Sequence, residues 1–70
     1  MEHLIEVSHV NGAWRLSASG CFEPILFRSG GRAEQAARSL AERLATHGCE
    51  ARVRIRDTRN LVVGEHRYFA

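Results

Sequence analysis

Lysine is missing from this sequence: all ten basic residues are arginine. A guanidinium forks onto phosphate or carboxylate oxygens better than an ammonium does. The bias draws attention to anion contacts, although a GC-rich coding sequence produces it as well. Long apolar runs are missing too. None exceeds three residues (ILF at 25–27, LVV at 61–63), far short of the roughly 20 that cross a bilayer as a helix. The opening MEHLIEV has neither the basic stretch nor the apolar core of a signal peptide. The expectation is a cytoplasmic protein with no membrane partner.

Cysteine and proline are sparse. Cys21 and Cys49 follow no metal or redox spacing and read as two reduced thiols. Pro24 stands alone. Charge of one sign is also modest: a formal net charge of +2 is too small to signal nucleic acid by itself. What is present suits one globular domain, with 44% hydrophobic and 26% charged residues and no repeat. At 70 residues the core must be thin, because chains of this size bury only about 60% of their unfolded surface.

The clearest local signal is Asn11-Gly12, which fits the type I′ turn of a two-residue hairpin. That turn sets Val10 opposite Ala13, His9 opposite Trp14, Val7 opposite Leu16 and Ile5 opposite Ala18. Ile5, Val7, Trp14, Leu16 and Ala18 then share one face, and Glu6, Ser8, Arg15 and Ser17 the other. Turn chemistry and hydrophobic pattern agree. CFEPILF predicts a short third strand at an edge or strand start, since Pro24 cannot donate to a ladder, with Ile25 and Phe27 inward.

Ser29-Gly30-Gly31 breaks the chain before a helix predicted over about Arg32 to His47. Ala33, Ala36, Ala37, Leu40, Ala41, Leu44 and Ala45 recur at i, i+3, i+4, and Gly48 closes the helix. CEARVRIR (49–56) alternates as a half-buried strand, turning Arg52, Arg54 and Arg56 to one side. Asp57-Thr58-Arg59-Asn60 fits a type I turn with a bulge, followed by a last strand from about Leu61 to Tyr68 with Leu61 and Val63 inward. The sum is an α+β fold, β-β-β-α-β-β: an antiparallel sheet with one helix on one face and the other face open.

An early Trp14 after an Asn-Gly turn, the helix opening AEQAARSLAERLA and the closing VRIRDTRNLVVGEHRY resemble the small bacterial family called domain of unknown function 2188 (DUF2188). The resemblance spans nearly the whole chain and implies a bacterial source and this fold. Members tend to carry Asp-Gly at the second hairpin turn, where this chain has Asp57-Thr58 and two further polar residues. The family brings no activity and no catalytic residues.

No enzyme is expected. The carboxylates Glu2, Glu6, Glu23, Glu34, Glu42, Glu50, Asp57 and Glu65 are scattered, with no local pair for acid–base work. Ser29-Gly30-Gly31-Arg32 puts free N–H groups at a helix start, where an anion or simply a cap fits. His47-Gly48-Cys49 offers two metal ligands, with His3, His9 and His66 elsewhere, but structural zinc needs four that converge. No metal, cofactor or small-molecule substrate is expected.

Two readings of the open face remain. Arg15, Arg52, Arg54 and Arg56 would hold nucleic-acid phosphates, with salt-sensitive affinity and no sequence preference. Against this, the face lacks aromatics for base stacking, and Glu6 and Glu50 dilute its charge. The same pattern fits a solvated face with cross-strand Arg–Glu pairs. Alternatively the face supports a homodimer, with Leu4, Val10, Val62 and Tyr68 as apolar anchors and Phe22 and Phe69 exposed near strand ends.

Overall fold

The Asn-Gly turn forms the hairpin its chemistry requires. In a computed structural model, which describes residues 2–19 and 23–70, β1 (Glu2–Val10) and β2 (Ala13–Ala18) pair antiparallel. All four expected partners stand opposite one another, from Val10 and Ala13 to Ile5 and Ala18. Asn11 and Gly12 take φ values of 50° and 79°, which the turn needs at both positions. Cys21 and Phe22, expected as a free thiol and an exposed aromatic, lie outside the described residues.

Pro24 is followed by β3 (Ile25–Phe27), an edge strand that sets Phe27 opposite Trp14 and Ile25 opposite Leu16. Both side chains take the expected face. Phe27 packs against the core, while Ile25 stays 54% exposed at the sheet margin.

The helix α1 (Gly30–Thr46) begins two residues before the expected Arg32. Ser29 makes this possible: its hydroxyl accepts from the Arg32 N–H at 3.3 Å, so both glycines enter the first turn. Gly30 has a packing role as well, since a Cβ there would stand 2.9 Å from Trp14 Cε2. At the other end Gly48 takes φ 83°. Its N–H reaches the Ala45 carbonyl, and the Cys49 N–H reaches the Leu44 carbonyl. That is a Schellman closure.

Ala33, Ala37 and Ala41 are fully buried, one per turn, on Ile5, Val7, Leu16, Ala51 and Val53. Their small side chains let the helix lie close to the sheet. Leu40, Leu44 and Trp14 flank this contact. Ile5 and Val7 are the largest fully buried side chains among the described residues.

After the helix come β4 (Glu50–Arg56) and β5 (Val62–Tyr68), and the sheet order is β3-β2-β1-β4-β5. One expectation needs correction: β4 pairs parallel to β1, so the sheet is mixed and not wholly antiparallel. The helix supplies the reason. It carries the chain across the sheet, so β4 enters beside β1 running the same way, a connection that parallel strands require.

The turn between β4 and β5 is as expected. Asn60 (φ 66°) donates to the Asp57 carbonyl, and Asp57 Oδ1 accepts from the N–H groups of Arg59 and Leu61. The face of β5 is not. A bulge near Arg56 inserts an extra residue, so Gly64, His66 and Tyr68 oppose Ile55, Val53 and Ala51 on the helix side. Leu61 and Val63, expected inward, are 58% and 64% exposed. Tyr68, expected on the open face, instead packs against the core and meets the His66 ring edge to face at 4.8 Å.

Candidate functional site

The parallel pairing of β1 with β4 decides what surrounds the arginines. Alternation along β4 turns Arg52, Arg54 and Arg56 to the open face, while the β1 register sets Glu6 opposite Arg54 and Leu4 opposite Arg52. On the other flank β5 sets Glu65 opposite Arg54 and Arg67 opposite Arg52. Arg52 and Arg54 thus stand between carboxylates from both neighbouring strands, whereas Arg56 meets Glu6 of β1 and the Asn60 carbonyl of the turn.

The contacts form a continuous lattice. Arg52 Nη2 donates to Glu2 Oε1 at 2.7 Å, and its Nη1 is 3.9 Å from Glu65 Oε1. Arg54 Nε donates to Glu65 Oε2 at 3.0 Å, and its Nη1 is 3.7 Å from Glu6 Oε2. Arg56 Nε donates to that same Glu6 oxygen at 3.0 Å, and its Nη1 donates to the Asn60 carbonyl at 2.9 Å. Arg67 Nε lies 3.9 Å from Glu2 Oε2. Four guanidinium groups therefore share three carboxylates. The three arginines of β4 are 22–25% exposed and their carboxylates 27–40%, so these are half-buried pairs that solvent still reaches. Arg67 is the loosest, with 56% of its side chain in solvent.

Electrostatics follow the geometry. The hydrogen bond from Arg54 holds the Glu65 carboxyl below its ordinary range, against the opposing effect of desolvation. The nearby charges of Arg54, Arg52 and Arg67 lower it further. An incoming polyanion must compete with carboxylates already seated on these guanidinium groups.

Arg15 stands apart. It lies on β2 opposite Ser8, exposed, with β1 between it and β4. At about 4.8 Å per strand its backbone is roughly 10 Å from that of β4. It makes no ion pair among the described residues. Glu6 sits on the face as its alternation implied, whereas the roles of Glu2, Glu65 and Arg67 escaped sequence reasoning. For Glu2 the signal was the pairing of β1 with β4, which no local pattern carries, and for Glu65 and Arg67 it was the bulge that sets the face of β5.

The other candidate positions resolve into structural contacts. Ser29 caps the helix. His47 Nδ1 lies 2.7 Å from the Arg43 carbonyl at the helix end, where its N–H donates to that oxygen. His9 meets the Trp14 ring edge to face at 4.9 Å. No group of three or more His, Cys, Asp or Glu side chains converges among the described residues. Among the described residues no helix is long and apolar enough to cross a membrane.

Concave space is limited. One hollow, about 460 Å³, is lined by Arg32, Gln35, Ala36 and Ser39 along one helix and lies open to solvent. Two clefts of about 210 and 160 Å³ flank the helix at β5 and at β3, below the roughly 300 Å³ at which ligand pockets begin. Comparison of the chain with protein-family models, curated proteins and solved structures found no match.

Proposed function

We propose that this chain is a small, non-enzymatic interaction module of the bacterial cytoplasm that works by pairing with a second copy of itself. The observation that carries this reading is the contrast at the β5 side of the molecule. Leu61, Val62, Val63 and Phe69 are 47–65% exposed beside a seven-residue edge strand. A single core this thin gains stability from a partner, and a two-fold homodimer is the commonest way to supply one. The resemblance to the domain-of-unknown-function family adds no activity, so the reading rests on geometry. Light scattering tests it: the expected mass is twice the 7.9 kDa of the chain, and a monomer at about 1 mM overturns it.

Nucleic-acid binding is a second reading, favoured by one observation. Arg15 and Arg67 are exposed cations on the open face, the first without a carboxylate partner among the described residues. Phosphate contacts from Arg15, Arg52, Arg54 and Arg56 would give affinity that falls steeply with salt. Fluorescence anisotropy at two salt concentrations tests it, with loss of binding expected in the fourfold alanine variant. No binding at low salt sinks it.

A further inference from the structure

We infer that the second copy docks along the free edge of β5, antiparallel about a two-fold axis through His66, so that Arg67 of each copy faces Glu65 of the other. This rests on the self-association reading and assigns its interface.

The strand order leaves β5 with an unpaired row of backbone N–H and C=O groups, a ready template for another strand. The other edge, β3, is three residues long. Residues opposed in an antiparallel ladder share a face, so open-face residues of β5 must meet open-face residues of the second copy. That condition leaves few registers. An axis through Glu65 sets Glu65 against itself, and an axis through Arg67 sets Arg67 against itself. Like charges directly opposed are destabilising. An axis through His66 opposes Glu65 to Arg67 twice, and it uses the most exposed, most loosely held cation of the lattice.

Gly64 supports the same register independently. Its φ is not positive, and a Cβ there would sit 3.9 Å from Ile55, an ordinary contact. Nothing described within one chain requires glycine. With the axis at His66, Gly64 faces Tyr68 of the second copy, and the missing side chain leaves room for that ring, a pairing that relieves edge glycines. Phe69 comes opposite the exposed Val62–Val63 bulge of the second copy. The helix lies mainly over β4, β1 and β2 and touches β5 only lightly, so two copies meet at the β5 edge with their helices set back from the junction. The product is a ten-stranded sheet with both helices on one side.

Light scattering and sedimentation of the full chain and four variants test this. Arg67→Glu, which gives up only a 3.9 Å contact within its own chain, is expected to raise the dimer dissociation constant at least about tenfold. Mixing it with Glu65→Arg restores opposite charges at both contacts and is expected to restore the dimer. In a C21A/C49A background, His66→Cys is expected to form a disulfide-linked dimer on oxidation, because opposed Cα atoms lie about 4.5–5.5 Å apart. Glu65→Cys in that background is not, being two residues out of register. A dimer untouched by Arg67→Glu and uncrosslinked at His66→Cys overturns this interface while leaving self-association standing. A monomeric parent chain overturns both.

Discussion

The two halves of this sheet are stabilised by different means. At the centre, Ile5, Val7 and Val53 lie under a helix that presents alanine at each turn, and water is excluded. At the β5 margin the helix touches the strand only lightly, and the strand is held by its ladder to β4, by Tyr68 against the core and by Arg52 and Arg54 reaching for Glu65. Apolar burial is worth about 25 cal/mol per Å², whereas exposed ion pairs contribute about 0–1 kcal/mol each. The centre therefore carries the fold and the margin is free to serve association.

The sharpest way to break that contrast is to truncate one residue on each side. Ile5→Ala removes a fully buried side chain and is expected to cost about 2–5 kcal/mol, a large share of the stability of so small a domain. Leu61→Ala, at 58% exposure, is expected to stay within about 0.5 kcal/mol of the parent chain in the monomer. Urea unfolding of both variants checks the pair. Equal costs would mean that the margin is packed as the centre is.

Gly30→Ala comes next. Alanine ordinarily favours a helix by about 1 kcal/mol over glycine. Here the added Cβ meets the Trp14 ring at 2.9 Å, and overpacking costs about 1–3 kcal/mol. The expected sign is a net loss of about 1 kcal/mol, read as a lower midpoint in urea together with a changed tryptophan fluorescence. Ser29→Ala, which removes the cap on the same turn, is expected to cost about 1 kcal/mol without touching the Trp14 signal. A shift of Trp14 fluorescence in both variants would show that the helix end moves as a unit.

Much of the central half was legible in the sequence and little of the margin was. Asn11-Gly12 fixes the first register through backbone chemistry local to two residues, and the alanine spacing identifies the buried helix face. The direction of β4 against β1 depends on where the helix delivers the chain, which no short window encodes. The face of β5 failed for a sharper reason. A single inserted residue at the bulge reverses inside and outside for the residues around it, and the exposed Leu61 and Val63 look apolar enough to be core. The arginine face was legible as a stripe. Of its neutralising partners, Glu2 comes from a strand whose adjacency to β4 the sequence did not declare, and Glu65 was turned to the wrong face by the missed bulge.

The smallest expected effect tests the margin by charge alone. The hydrogen bond from Arg54 holds the Glu65 carboxyl below its ordinary value of 4.5 in the folded chain. A carboxyl whose folded pKa is depressed stabilises the fold fully above its unfolded pKa, and that contribution drains away as pH falls through the lower folded value. Glu65→Gln is therefore expected to be slightly less stable than the parent at pH 7, and the gap is expected to close as pH falls below about 4.5. Added salt should narrow it too, because the pair is open to solvent. The Ile5→Ala gap has no such carboxyl behind it and is expected to persist across the same range. A Glu65→Gln gap that ignored both pH and salt would mean that β5 is held by shape, and the difference between centre and margin would then be one of degree.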